Sequence, residues 1–435
     1  MSIAFGGLVA FLFRGVNLVM AFATVVLTSH ALTKADYGAF VLGLSVIGFV
    51  NALTGGLTAA TAYQVSNQRR PPGAALANGS LLSITIGALG IVAGVGVAAT
   101  LSGDASRLAM PVAFAGTAVV LNSVVAGAFL GRGSLVHYNV ALVAPPAISL
   151  VLISLAVFVF QQRAPQAVLG AYALGQWLAL SFMLALGGRA LFSGARLQRP
   201  LLRAIGTFAA LAGLSSGVSF LNYRADLFVV EHFEGKEGAG TYSLAVYLAE
   251  SVWQVSGSLA LAVYARLGSL TRPEAAELTT RVMRHSMLLL AVLCTVIFAA
   301  AGLIQEVLFP DHEDVASALR FILPGVLIYG LAQSFSGFYT YQRGLPWISA
   351  VVAGGGLIVD IVLAIILVPR MGVNGAALAS SLAYGAAMLG AMTLFLVTEH
   401  LSPARAFRFG RRDVDDYRLL LRRIRRMAGS GRASP

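Results

Sequence analysis

Long apolar runs separated by short polar stretches make up most of the chain. About 20 apolar residues in a helix, at a rise of about 1.5 Å each, cross a hydrocarbon core of about 30 Å. The runs are that long, so the pattern predicts an all-α polytopic membrane protein. We expect about twelve transmembrane helices, near residues 5–29, 37–62, 76–101, 107–130, 137–160, 166–188, 205–230, 239–265, 284–308, 316–341, 346–368 and 374–398.

The basic residues between the runs predict the topology, because short cytoplasmic loops retain Lys and Arg. With the N-terminus inside, the cytoplasmic loops carry Arg69, Arg70, Arg132, Arg189, Arg196, Arg199, Arg203, Arg266, Arg272, Arg281, Arg284 and Arg343, and the tail after residue 400 adds ten Arg. The opposite side receives Lys34, Arg107, Arg163, Lys236, Arg320 and Arg370. This asymmetry predicts an even number of spans in a bacterial inner (cytoplasmic) membrane, with both termini cytoplasmic.

A basic linker at the midpoint predicts two lobes. Residues 1–188 would form an N-terminal lobe, 189–204 a cytoplasmic linker, 205–398 a C-terminal lobe and 399–435 an Arg-rich cytoplasmic tail. A weak internal echo supports the division, although chance could produce it. The echoing residues are Lys34, Asp36, Tyr37 and Gly38 at the start of span two, and Lys236, Gly240, Tyr242 and Ser243 at the start of span eight. Internal repeats of this kind are common in transporters.

The composition agrees with a membrane protein. Hydrophobic residues make up 58% and charged residues 11% of the chain, against about 45–50% and about 25% in soluble domains. The 47 glycines suit helices that pack closely in lipid. The net charge of +12 lies in short loops and the tail, without the aromatic interleaving of a nucleic-acid site, so we expect no nucleic-acid partner.

Both ends of the chain carry expectations of their own. The N-terminus has no basic segment before its apolar run, so the first span is expected to remain as a helix. In the tail, Tyr417, Leu420, Leu421 and Ile424 recur at helical spacing between Arg pairs. That spacing favours an interfacial helix on anionic lipid, and a tail that only sets topology is the alternative.

Polar residues at membrane depth are the functional candidates, because each is costly unless it is paired or hydrated. Arg14 lies about 13 Å into span one, and Asn17 follows at i+3 on the same face. This stripe offers a cation and an amide to a polar group. A structural Arg paired with a neighbouring helix is the alternative.

Span seven carries Arg224 and Asp226 near its outer end. Residues two apart point to different sides of a helix, so each is expected to face its own partner. If Arg224 and Arg14 face a common cavity, together they suit a doubly anionic group such as a pyrophosphate. An Arg that reaches the outer headgroups is the alternative for Arg224.

Two more carboxylates lie within spans, Glu250 in span eight and Asp360 in span eleven. Together with Asp226, they are candidates for coupling to protons or Na⁺, and neutralisation of an Arg is the alternative. Pro145 and Pro146 are expected to break span five.

Enzyme chemistry is not indicated. The sequence has no HExxH, CxxC or P-loop motif, and its loops are too short for a catalytic domain. We therefore predict a transporter without a cofactor or bound metal. The stretch Asp311, His312, Glu313 and Asp314 favours a solvated loop over a metal site, and Cys294 is expected to be a buried thiol.

Three stretches resemble a known family. They are LFRGVNLVMAFATVVLTSHALTKADYGAFVLG, NYRADLFVVEHFEGKEGAGTYSLAVYLAESVW and VPRMGVNGAALASSLAYG. Together they resemble polysaccharide-biosynthesis, O-antigen-type lipid-linked oligosaccharide flippases of the MATE-like (MOP) exporter superfamily. The resemblance implies two six-helix lobes around a central cavity that works by alternating access. The sparse Lys and the long Arg tail depart from what is expected of that family.

The resemblance also implies a function. The carried partner would be an undecaprenyl-pyrophosphate-linked oligosaccharide, flipped to the outer leaflet for surface polysaccharide synthesis, with Arg14 and Arg224 as the cavity cations that meet the pyrophosphate. Membrane lipids and polysaccharide polymerase or export proteins are further expected partners. A multidrug or cation antiporter of the same superfamily is the first alternative. A membrane-embedded polymerase or ligase is a weaker one, and a scaffold the weakest.

Overall fold

The computed structural model describes residues 3–100, 104–267, 270–345, 347–410 and 413, and all regular structure within them is helical. The first half contains α1 (Ile3–Ala31), α2 (Lys34–Thr54), α3 (Gly56–Ser66), α4 (Pro72–Thr100), α5 (Asp104–Gly131), α6 (Leu135–Ser154) and α7 (Pro165–Leu191). The second half contains α8 (Arg199–Ser251), α9 (Trp253–Leu267), α10 (Arg272–Leu308), α11 (Val315–Tyr329), α12 (Ala332–Gly337), α13 (Trp347–Thr398) and α14 (Pro403–Phe407). Short π-helical turns follow α6 at Leu155–Val159 and α12 at Phe338–Gln342.

Nine helical stretches in the described ranges are long and apolar enough to cross a membrane. Two of them have double length, Arg199–Ala260 with 62 residues and Trp347–Thr398 with 52 residues. Each turns back at a glycine of positive φ, Gly235 (φ 68°) and Gly372 (φ 57°). Counted as pairs, and with α1 included, these helices correspond to the twelve predicted spans. The predicted all-α, multi-pass membrane fold is confirmed.

The reversal in α8 is evident from the contacts that it makes. In a straight helix Arg224 and Glu250 would be about 39 Å apart, yet their side chains are 2.9 Å apart. Glycine is required at the reversal because the backbone there has φ 68° and ψ −169°, a region that residues with a Cβ rarely enter. The hairpin has almost no loop, and it carries the charged residues of span seven back against span eight.

The prediction for span five was wrong. α6 runs without interruption through Pro145 and Pro146. Proline removes one backbone donor, but neighbouring helices and local adjustments can support a helix in the membrane that contains it. Here the helical geometry changes about two and a half turns later, in the π-helical turn Leu155–Val159.

The two halves of the chain pack against one another along α8. The first turns of α8 contribute Leu201, Ile205 and Ala209 to a core otherwise built from α3, α4, α5, α6 and α7. A Cβ added at Gly213 would lie 1.8 Å from the carbonyl oxygen of Leu53 in α2. The linker is held as well, because Asn78 of α4 donates to the carbonyl of Arg196 at 2.8 Å.

The echoing stretches of the sequence lie against each other at the ends of α2 and of the second α8 span. A Cβ at Gly38 would lie 1.8 Å from the carbonyl oxygen of Lys236, and one at Gly240 would lie 3.2 Å from that of Lys34. Tyr37 and Tyr242 are fully buried beside them. We call this region the outer contact, following the predicted topology.

The remaining expectations concern the loop 311–314, Cys294 and the tail. In the stretch 311–314 the acidic residues are exposed, as expected of a solvated loop, but His312 is buried. Within the described residues no group of three or more His, Cys, Asp or Glu could hold a metal. Cys294 is a buried thiol. The tail contributes α14 and Asp413, which accepts from Arg284 at 3.0 Å, whereas the predicted interfacial helix around Tyr417 lies outside the described residues.

Candidate functional site: a charged cavity wall and a buried carboxylate pair

An ion pair joins the two spans of the α8 hairpin. Arg224 lies 2.9 Å from Glu250, and their side chains are only 17% and 12% exposed. Arg224 also donates to the carbonyl of Tyr223 at 2.7 Å and lies 5.1 Å from the ring centre of Tyr247. Tyr384 donates to the other oxygen of Glu250 at 3.2 Å. Arg224 is thus paired within the protein rather than extended toward headgroups.

Aromatic rings surround this ion pair. The rings of Tyr329 and Tyr384 are stacked with centres 4.9 Å apart, and Trp253 lies 5.4 Å from Tyr223 and 5.5 Å from Tyr384. Trp253 is fixed by a hydrogen bond from its indole nitrogen to the carbonyl of Val326 at 2.8 Å. We call Tyr223, Trp253, Tyr329 and Tyr384 the aromatic cluster.

A cavity of about 380 Å³ opens beside the ion pair, between α1 and the α8–α9 region. Its lining comprises Leu18, Tyr223, Tyr247, Glu250, Ser251, Trp253, Gln254 and Gly257. Arg224 contacts three of these residues, Tyr223, Tyr247 and Glu250. Together with Val41 and Ser45 of α2, Arg224 also lines a small cleft between the halves of the chain.

Span one reaches this cavity through Leu18. Asn17 precedes it and is exposed, whereas the side chain of Arg14 lies outside the described residues. The structure therefore places Arg224 behind the cavity wall, where it is paired with the lining residue Glu250. The convergence of Arg14 and Arg224 on one substrate stays a prediction.

Asp226 has partners different from those of Arg224. It accepts hydrogen bonds from the hydroxyl of Tyr242, from Ser380 at 2.8 Å and from the backbone N–H of Leu227 at 2.8 Å. It is 2% exposed. These partners come from both spans of α8 and from the second span of α13.

Asp360 lies close enough to Asp226 for their charges to interact. It is 1% exposed, and neither of its carboxylate oxygens has a hydrogen-bond partner among the described residues. Ser380 lies near both carboxylates, but its single hydroxyl proton has Asp226 at 2.8 Å and the carbonyl of Ala376 at 3.1 Å as acceptors. A buried carboxylate without a donor beside a second carboxylate needs a proton or a cation.

The sequence identified all four charged residues of these two groups but not how they pair. As site residues it missed Tyr247, Trp253, Ser380 and Tyr384, and it named Tyr242 only in the internal echo. Tyr and Trp count toward apolar runs, and a Ser at depth is common in packed membrane helices. Their polar groups at membrane depth, a hydroxyl in Tyr and Ser and an indole N–H in Trp253, were the signal that could have drawn attention to them.

This architecture is the fold of MATE-like transporters. It aligns with an inward-facing multidrug resistance MATE family transporter of the MOP superfamily with a TM-score of 0.71, at 14% identity, over 88% of this chain and 94% of that one.

Two further solved structures share the fold. The lipid II flippase MurJ in its inward closed conformation aligns with a TM-score of 0.70, at 16% identity, over 93% of this chain and 89% of that one. A MOP superfamily transporter from Pyrococcus furiosus, described as having a binding pocket of reverse polarity, aligns with a TM-score of 0.62, at 16% identity, over 91% and 94%. No family model and no curated protein matches the sequence.

Proposed function

We propose that this protein is a transporter that flips an undecaprenyl-pyrophosphate-linked oligosaccharide from the cytoplasmic to the outer leaflet of a bacterial inner membrane. The observation that carries the proposal is Arg224, a cation at membrane depth that lies against the cavity wall and is held by one carboxylate at 2.9 Å. A phosphate group can replace that carboxylate, because guanidinium binds both groups through the same forked geometry.

The substrate and the carboxylate would then compete for one cation. When the head group enters, Arg224 exchanges Glu250 for a phosphate oxygen, and Glu250 retains the Tyr384 hydrogen bond. Arg14 is the second proposed cation, with Asn17 beside it on α1. The lipid tail stays in the bilayer while the two lobes move between their inward-open and outward-open arrangements.

Asp226 and Asp360 are the proposed ion-coupling pair, and Glu250 is coupled to the ion only through Arg224. The support is the burial of both carboxylates together with the absence of a donor for Asp360 among the described residues. A proton or Na⁺ bound there would relieve the repulsion between the two charges.

The fold relationship to lipid II flippase MurJ supports a lipid-linked substrate, and that to multidrug resistance MATE transporters supports the alternative. A specific observation also favours the alternative: the cavity is lined by Tyr223, Tyr247, Trp253 and a carboxylate, groups that bind aromatic cations. We favour the flippase because Arg224 neutralises that carboxylate, so the cavity wall carries no net negative charge at this point.

A deletion strain tests the proposal. Lipid-linked oligosaccharide is expected to accumulate on the cytoplasmic leaflet, and wild-type protein should restore surface glycan. R14A and R224A should restore little. R320A is the matched control, because Arg320 stacks on Phe298 at 5.8 Å instead of contacting the cavity.

The proposal fails if R14A and R224A, present at normal levels, export glycan as well as R320A does. Unchanged glycan together with new drug sensitivity in the deletion strain would identify the antiporter instead.

A further inference from the structure

A small cavity lies within the C-terminal helices, apart from the central one. Its volume is about 120 Å³, room for about four water molecules at about 30 Å³ each. It lies between α8, the α11–α12 segment with its π-helical turn, and α13. Six of its lining residues carry hydroxyl groups: Ser219, Tyr223, Tyr329, Ser336, Tyr339 and Ser349.

The deep end of this cavity leads toward the carboxylate pair. Tyr329 receives a hydrogen bond from the amide of Asn222, at 3.5 Å. Asn222 is 1% exposed, and its carbonyl oxygen has no partner among the described residues. Asp226 lies one helical turn further along α8, on the same face as Asn222. A buried acceptor therefore stands, without a donor, between the hydroxyl-lined cavity and Asp226.

The opposite wall of the cavity is formed by α13, and this helix also leads toward a buried carboxylate. Ser349, Val352 and Ala353 line the cavity, and Asp360 lies about two turns further along the helix. Gly356 lies between them, and a Cβ there would lie 2.8 Å from the free carbonyl oxygen of Asn222. The missing side chain lets this oxygen, which has no hydrogen-bond partner among the described residues, approach α13 one helical turn before Asp360.

The other end of the cavity leads to the inner ends of the helices. Ser336 and Ser349 are hydrogen-bonded at 3.1 Å, and the hydroxyl of Tyr339 lies 3.3 Å from that of Thr398. Thr398 adjoins Glu399, which pairs with Arg272 at 2.9 Å and Arg343 at 3.0 Å. Polar groups thus continue from the buried carboxylates to a charged cluster at the end of α13.

We propose that this track is a hydrated ion route from the inner end of the C-terminal lobe to Asp226 and Asp360, separate from the substrate cavity. The aromatic cluster divides the two spaces, since Tyr223 lines both and its ring packs on Trp253 and Tyr329. An ion would reach the carboxylates without passing the head group. Binding of the ion and binding of the substrate would then influence one another only through movement of the helices. The purpose of the route rests on the proposed coupling role of the carboxylates, but its existence does not.

Silver ions test the route, because Ag⁺ is a small cation that binds thiolates and needs water to reach them. Single-cysteine variants S349C and N222C would be made with Cys294 replaced by Ala, and everted vesicles would expose the cytoplasmic side. V351C is the matched control, since Val351 lies on the same helix at the same depth but is 62% exposed on the outside of the bundle. Residual thiols would be counted with a maleimide after unfolding.

The rate at which Ag⁺ blocks S349C and N222C should exceed the rate for V351C by about tenfold, because the thiolate forms readily only in water. If Ag⁺ blocks S349C no faster than V351C, the proposed route is wrong. Reaction of S349C without N222C also overturns it, since the cavity would then be a closed vestibule. The measurement needs no transported lipid. Its result can therefore be interpreted even if the flippase proposal fails.

Discussion

Arg224 and Glu250 depend on one another because both lie within membrane-spanning helices. Their side chains are 17% and 12% exposed, and removing one partner of a buried pair leaves the other charge uncompensated, at a cost of about 3–5 kcal/mol. The pair therefore has a structural role whatever its role in transport.

A double variant separates the two roles. R224A should lower the thermal unfolding temperature in detergent, because Glu250 loses its partner. R224A/E250Q should recover most of the lost stability, since no lone charge remains, but it should not recover glycan export. If the double variant restored export together with stability, Arg224 would have only a structural role.

His312 gives the outer contact a pH dependence. It is 2% exposed, lies 3.1 Å from the hydroxyl of Thr241 and packs edge-on against Tyr37. Burial, followed by repulsion from Lys34 and His30 and opposed by Asp311, lowers the pKa of His312 from 6.5 to about 4. Between these two pH values the unfolded chain binds a proton that the folded protein does not.

Stability should therefore decrease as the pH falls from 6.5 toward 4, the interval between the ordinary and the folded pKa of His312. Unfolding temperatures measured across this interval should fall more steeply for the wild type than for H312Q. Equal slopes would show that His312 does not contribute.

Single glycines decide the form of the longest helices. Without the reversals at Gly235 and Gly372, α8 and α13 would be continuous helices of 53 and 52 residues. Such helices are too long for one crossing, because about 20 residues span the hydrocarbon core. The reversal also places Asp226 beside Tyr242. The site thus depends on a backbone conformation that only glycine adopts readily.

G235A should destabilise the protein by about 1–3 kcal/mol, through backbone strain alone, because no atom lies within 4 Å of the added Cβ. G390A is the control, since Gly390 also has open space around it but lies within a regular helix. Unfolding temperatures in detergent would be compared. Equal temperatures for the two variants would contradict the assignment of strain to Gly235.

The outer contact joins the two halves of the molecule through backbone atoms. Gly38 approaches Lys236 so closely that a Cβ would lie 1.8 Å from its carbonyl oxygen, so even a methyl group must push the helices apart. In an alternating-access cycle this contact would form and break.

G38A should therefore shift the protein toward an arrangement that is open on this side. Thr241 is 8% exposed at the contact, so T241C should react faster with an impermeant thiol reagent added from outside in the G38A background. G355A is the control, because a Cβ at Gly355 meets no atom within 4 Å. An unchanged rate in G38A would mean that this contact is not a gate.

The sequence by itself determined that the chain spans a membrane many times as helices, because the cost of burying backbone and charge in lipid leaves few alternatives. It also selected Arg224, Asp226, Glu250 and Asp360, since charges at membrane depth are conspicuous. Only the tertiary structure decided that Arg224 pairs with Glu250 and that Asp226 lies near Asp360. Those pairings depend on reversals at glycines and on contacts between helices distant in sequence, such as Ser380 with Asp226, which residue spacing along the chain does not encode.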